Sequence, residues 1–262
     1  MTTPHTQSAE KMNANPHALL SVVALAVGLL LFAPATARAA FSYTTAAGNG
    51  ADAQVYLGTD DEGQQCSGKN YGNFAYPGVK TYNADWSMKS YLRFDTTGLV
   101  GTAVSASLNL DFVATDSLSV INVFGLKNNA TGQGWGESTI TYLNAPANDL
   151  TPTGAGGTYT TPGTGGATTD AVFLGTYAVI NGHCTFSNTD LVSFINADTD
   201  HLVTFILTPT SDKNVQFLTK EVGPNTADYP TLSVTIPEPA SALILLAGAG
   251  SLALGRRRRS CR

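Results

Sequence analysis

The stretch Val104-Ser105-Ala106-Ser107-Leu108-Asn109-Leu110-Asp111-Phe112-Val113 decides the fold class. Ala106, Leu108, Leu110 and Phe112 fall on one side of an extended chain. Ser105, Ser107, Asn109 and Asp111 fall on the other. Successive side chains of a strand point to opposite faces, so this alternation marks a strand with one face in a core and one in water. Working outward, Ser90 to Asp95 alternates in the same way, with Leu92 and Phe94 opposed to Tyr91, Arg93 and Asp95. Gln54–Leu57, Val120–Leu126, Ser138–Leu143, Ala171–Tyr177 and Val215–Lys220 read as further strands, and Leu232, Val234 and Ile236 mark a last one. Leu202–Leu207 is almost continuously apolar, which predicts a central strand covered on both faces. One short helix is expected over Asp190–Asn196, capped by Asn188 or Thr189. Many short strands separated by Gly, Asn, Asp and Pro predict an all-β fold, an antiparallel β-sandwich of jelly-roll type in two sheets. Two long loops interrupt it, Thr59–Ser87 and the Gly/Thr/Pro-rich Thr151–Asp170.

The two ends have a different character. Lys11 and His17 precede an apolar run from Ala18 to Ala33, followed by Ala37-Arg38-Ala39. That order reads as a secretory signal helix cut by signal peptidase near Ala39 or Ala40, with a retained membrane helix as the alternative. Translation starts at Met1 or at Met12. The C-terminus runs Pro237-Glu238-Pro239, an apolar segment from Ala240 to Leu254, then Arg256, Arg257, Arg258 and Arg259. Its apolar run is shorter than the roughly 20 residues of a spanning helix, and the arginines favour the cytoplasmic side. The division expected is residues 1–40 as leader, 41–236 as the sandwich and 237–262 as a tail.

Only 13% of the 262 residues are charged, against about a quarter in an average domain. Between Phe41 and Ile236, seven Lys and Arg face seventeen Asp and Glu, a net charge of 7 − 17 = −10. The whole chain shows only −5 because the basic residues gather in the ends. An acidic domain excludes nucleic acid as a partner, since phosphates need a basic footprint. Cys66 and Cys184 are the two cysteines of the domain. Outside the cell they admit a disulfide between distant segments, or two free thiols. No metal-binding Cys/His spacing is present.

The tail resembles the PEP-CTERM sorting signal of Gram-negative bacteria, carried by Pro237, Glu238, Pro239, the apolar run and Arg256 to Arg259 in that order. The resemblance implies export, transient anchoring in the inner membrane by a C-terminal apolar helix, handling by an exosortase, and delivery to the cell surface or extracellular matrix. The alternative is an ordinary short tail anchor.

Several stretches of the domain resemble the DNRLRE domain, a family grouped with carbohydrate-binding modules. They are Asp52 to Tyr56, Asn70-Tyr71-Gly72-Asn73, Ser90 to Leu99, Val104 to Leu110, Val123 to Leu126, Trp135 to Pro146 and Phe217-Leu218-Thr219-Lys220-Glu221. Where that family carries Trp after the Ile-Thr step, this chain has Tyr142. The resemblance implies a β-jelly roll that binds extracellular polysaccharide.

Sugar sites set aromatic faces against pyranose rings among a few fixed polar groups. The segment 70–86 supplies Tyr71, Phe74, Tyr76, Tyr82 and Trp86, with Asn73, Lys80, Asn83 and Asp85 between them. These rings either stack on ligand or pack the loop onto the sandwich. Tyr91 and Arg93 share one strand face. If exposed, they contact sugar hydroxyls or carboxylates; if buried, Arg93 pairs with Asp95 or another carboxylate. Trp135, Glu137 and Thr139 read as packing plus a backbone clamp. Asp60-Asp61-Glu62 admits a structural calcium or a solvated loop, and Asp52 is a further possible ligand. His183 and His201 are the domain's histidines, and no nucleophile elbow or paired glycosidase carboxylates are marked, so no catalytic residue is assigned. The expectation is a non-catalytic polysaccharide binder. The alternatives are a purely structural matrix protein and, less favoured, a polysaccharide-degrading enzyme.

Overall fold

A computed structural model of the chain describes residues 38–83, 86–150 and 167–238. The expected leader helix and C-terminal apolar helix lie outside these residues. No helix among the described residues is long and apolar enough to cross a membrane. The strands are β1 (Arg38–Thr44), β2 (Ala51–Leu57), β3 (Lys80–Asn83), β4 (Trp86–Asp95), β5 (Ser105–Thr115), β6 (Val120–Leu126), β7 (Ala171–Ala178), β8 (Gly182–Phe186), β9 (Leu202–Pro209), β10 (Val215–Phe217) and β11 (Thr231–Pro237). One helix, α1 (Thr189–Ala197), joins β8 to β9.

Every strand pair is antiparallel. The first sheet has the order β1-β11-β5-β10, with β8 also on β5; the second has β2-β4-β9-β6-β7, with β3 also on β4. The alternation that opened the reading is visible in β5, where Ala106, Leu108, Leu110 and Phe112 are buried and Ser105 and Val113 are exposed. Those side chains, with Leu232 and Val234 of β11, meet Leu92, Phe94, Val203, Phe205, Leu207, Ile121 and Val123 of the second sheet. The two apolar faces thus bury each other. β9 is buried from Val203 to Pro209, the central two-faced strand that its continuous apolar run predicts.

The helix follows its expected capping. Asn188 is extended and its side chain accepts the Leu191 N–H, while Leu191 and Ile195 turn into the core. Asn196 fastens the helix by exchanging hydrogen bonds with the backbone of Ala103.

Three differences from the sequence reading matter. First, Ser138–Leu143 forms turns rather than a strand. Gly136 O accepts from Thr139 and Ile140, and the Asn144 side chain bonds the backbone of Thr141 and Thr139, so this segment satisfies its polar groups locally without a ladder. Second, the Thr59–Ser87 loop contains β3, which pairs with the first half of β4. Third, β1 and β8 complete the first sheet. β1 begins at Arg38, which pairs with Pro237 at the far end of β11.

Residues 135–147 fold back over the outer face of the second sheet. Trp135, Ile140, Tyr142, Ala145 and Ala147 close on Ala51, Ala53, Val55, Tyr91, Phe124 and Ile206 as a second core.

Candidate functional site

The segment 70–86 folds into an aromatic surface beside β2 and β4. Tyr56 of β2 is its pivot: its ring packs edge-on against Trp86, centroids 5.1 Å apart, and lies 6.0 Å from Tyr71. Tyr71 in turn meets Phe74 edge-on at 5.2 Å. Gly58, at φ +128°, makes the close packing of Tyr56 and Trp86 possible, because a Cβ there would come within 2.6 Å of the Trp86 ring. In β3 the buried Thr81 points inward, so Lys80 and Tyr82 point outward. The Lys80 ammonium lies 5.7 Å over the Trp86 ring. Phe74, Tyr76 and Tyr82 are the exposed rings, at 46%, 49% and 64%, whereas Tyr71 and Trp86 are half-buried supports. Burial pushes the Tyr71 hydroxyl well above its ordinary range, with the Cys66 thiol adding to the shift. Asp85 lies outside the described residues, as does the side chain of Asn83.

The face of β4 that carries Tyr91 and Arg93 is covered in large part by segment 135–149. Tyr91 is fully buried, and its hydroxyl donates to Pro146 O. Among the described residues, Arg93 pairs with no carboxylate. Its guanidinium donates to Asn49 O and Trp135 O and lies 4.9 Å over the Trp135 ring. Lys89, on the same face, is wholly buried; its amine donates to Asn148 Oδ1 and Asp149 O, and burial lowers its pKa to about 7. Folding segment 135–149 onto this face corrects the assignment of Tyr91 and Arg93 to a site: backbone carbonyls above the sheet satisfy groups that look solvent-facing in sequence. Trp135 packs as the Trp135-Glu137-Thr139 pattern suggests.

A second grouping joins four of the stretches that carry the family resemblance. Asp52 from β2, Glu137 from the turn after Trp135, and Glu221 from the one-turn 3-10 helix Lys220–Val222 place carboxylate oxygens within 4.8 Å of one another. The Lys220 ammonium sits among them, bonded to Glu137 Oε1, 3.5 Å from Glu221 Oε1 and 3.7 Å from Asp52 Oδ1. Asn70 contributes from the fourth stretch, since its side-chain amide donates to Glu137 O and Ile140 O. Gly72 presses on the Glu137 carbonyl, where a Cβ would lie 2.1 Å from the oxygen. Asp52 is fully buried, and desolvation raises its pKa to about 8. Asp52 is foreseen in the sequence as a possible cation ligand. Its partners are not, because they lie 85 and 169 residues away in the chain.

Asp60-Asp61-Glu62 behaves as a solvated loop. Asp60 accepts from the backbone of Glu62 and Gln64 and pairs with Lys69 at 2.7 Å, which holds its carboxyl below the usual range. Asp61 and Glu62 are exposed and do not converge with it on a cation. The Cys66–Cys184 disulfide does not form. Cys66 is buried under the 58–69 loop with its thiol on Gln64 O, while Cys184 lies in β8 of the first sheet with its thiol on Ile180 O. His183 Nδ1 lies 3.2 Å from Asp111, a pair on the open side of the first sheet.

A cleft of about 620 Å³ between β7 and α1 is floored by Phe173 and Phe194. Its polar rim is largely engaged: Lys127 donates to Thr169 O, Asn128 to Ala197 O, and Ser193 to Thr189 O.

Pro237 ends β11 and the exposed Glu238 follows it; Pro239 and Arg256, Arg257, Arg258 and Arg259 lie outside the described residues. Residues 50–164 match the model of carbohydrate-binding module family 96. Residues 235–259 match the PEP-CTERM protein-sorting motif. Residues 50–164 are thus similar to a carbohydrate-binding module, and the motif after them indicates export and sorting to the cell envelope of Gram-negative bacteria. No curated protein matches the chain. The sorting motif begins inside the sandwich, since Thr235 and Ile236 belong to β11.

Proposed function

We propose that the sandwich binds extracellular polysaccharide without chemistry, through the aromatic surface of residues 71–86. The observation that carries this reading is the exposure of Phe74, Tyr76 and Tyr82 on a segment whose remaining rings, Tyr71 and Trp86, are braced from below by Tyr56. Of the exposed rings, Phe74 is held edge-on by Tyr71, and a held ring loses little freedom when a sugar stacks on it, so more of the contact energy appears as affinity. Lys80 supplies a directed donor at the rim. The family match at residues 50–164 supports the ligand class. The domain's net charge of −10 favours neutral glycans, or local recognition of single carboxylates, over electrostatic capture of a polyanion.

The test is a binding screen of the protein against neutral and acidic polysaccharides, repeated on Tyr82→Ala, Tyr76→Ala and Trp86→Ala. Loss of one stacking ring is expected to cost about 1–2 kcal/mol, roughly five- to thirtyfold in affinity. Unchanged binding in all three variants removes this surface as the site. A wild-type protein that binds no glycan yet stays in the matrix favours a structural role.

We further infer that the leader is removed near Ala39 or Ala40 and that an exosortase cuts near Pro237-Glu238-Pro239. The motif match at 235–259 supports the second step. Mass spectrometry of matrix-released protein is expected to find no peptide containing Arg256 to Arg259. An intact tail on that material contradicts cleavage.

A further inference from the structure

The strongest feature left unexplained is the imbalance of charge and hydrogen bonding around Asp52. With all three carboxyls ionised, Asp52, Glu137 and Glu221 around the single ammonium of Lys220 leave −3 + 1 = −2, a charge that the cluster sheds in part by holding a proton on Asp52. Both Asp52 oxygens and Glu221 Oε2 are buried without a hydrogen-bond partner. A further observation from a different part of the chain points the same way. Thr45, fully buried, faces the Asp52 carboxyl closely enough to favour its charged form, yet its hydroxyl also lacks a well-formed partner. Half of the orphaned buried side-chain atoms among the described residues, four of eight, therefore lie at this one point. Buried oxygens without partners are costly, and so rarely gather by chance.

We propose that this cluster is a calcium site in which Asp52, Glu137, Glu221 and the Thr45 hydroxyl ligate the ion. The ligand set is all oxygen, as a hard cation requires, and one divalent ion closes the charge to zero. Three acidic side chains and one hydroxyl leave room for the water ligands that calcium accepts in its six- to eight-fold shell. Lys220 occupies the centre in the absence of the ion. Its side chain is 19% exposed, so the flexible stem can carry the ammonium out to solvent and keep it nearby as a counter-charge. The bound ion would tie β2, the turn after Trp135 and the segment after β10 into one point. β2 and the segment after Trp135 both line the second core, so the site is structural. It adjoins the proposed sugar surface through Asn70, whose amide donates to Glu137 O, but uses none of its exposed rings, so separate variants test the two.

The experiment is calorimetric titration of the full chain with calcium chloride, with thermal melts at each concentration and magnesium chloride as the comparison cation. One calcium per chain is expected to bind, with a Tm that climbs as the site fills. Glu137→Gln and Glu221→Gln are expected to weaken calcium about tenfold or more, while Asp61→Asn, on the exposed loop, leaves affinity unchanged. Lys220→Gln, which removes the competing ammonium, is expected to bind calcium more tightly than the wild type. If that variant folds poorly, its recovery on adding calcium supports the site, and failure to recover overturns it. No saturable binding in either wild type or Lys220→Gln overturns it too, as does an equal loss of affinity in Asp61→Asn.

Discussion

The two sheets of the sandwich use their outer faces differently. In the first, β5 alternates buried and open residues, and its outer face carries Ser107, Asn109, Asp111 and Val113 toward solvent or neighbouring side chains. In the second, β4 and β9 are covered on both sides: one face packs on the first sheet, the other lies beneath segment 135–149. The polar residues of the two outer faces look alike in sequence. On the first sheet they stay partly open and bond to side chains of neighbouring strands. On the second, Lys89, Tyr91 and Arg93 are roofed by carbonyls from Trp135, Pro146 and Asp149. A polar strand face therefore reports its hydrogen-bonding capacity, and the partner can be water or a folded-back loop.

Phe205→Ala empties a fully buried ring site between the sheets and is expected to cost about 3–5 kcal/mol in urea denaturation. Next, Tyr91→Phe removes the hydroxyl that ties Pro146 to the second sheet. A loss of about 1–3 kcal/mol is expected, because a buried carbonyl is left without a partner, and hydrogen exchange in residues 140–149 should rise. Near-zero loss would show that the roof holds by apolar contact alone.

Lys89 sharpens the contrast through pH. Burial holds its pKa at about 7 in the folded chain, against about 10.4 when unfolded. Between those values the unfolded chain binds the extra proton, so this group makes stability rise as pH increases from about 7 toward 10. The difference between wild type and Lys89→Met, measured across that window, isolates the effect; a pH-independent difference would mean the amine is not desolvated. The smallest effect belongs to the open sheet: Val113→Thr, at an exposed position of β5, is expected to change stability by no more than about 0.5 kcal/mol.

Legibility followed the range of the interactions. β5, β6, β9, β11 and the Asn188-capped helix were readable because alternation, continuous apolarity and capping are local patterns. Ser138–Leu143 imitates a strand, but turns and Asn144 satisfy its backbone. β8 was missed because Gly182-His183-Cys184-Thr185-Phe186 lacks a strong period and is recruited by β5. In the aromatic surface, Tyr71, Tyr76, Tyr82 and Trp86 were visible from composition, whereas the role of Tyr56 was hidden by its place in an ordinary strand. The disulfide expectation failed for a related reason: compartment and count permit a bond, and only geometry can supply it.

By itself, the sequence determined the antiparallel β class and its core strands, the acidic charge of the domain, and the order of the sorting signal, because each rests on residues near one another in the chain. Tertiary structure alone decided three things: that Tyr91 and Arg93 are roofed, that Tyr56 braces the supporting rings Tyr71 and Trp86, and that Asp52 meets Glu137, Lys220 and Glu221. Each depends on segments from distant parts of the chain arriving at one place, and neither periodicity nor composition carries that information.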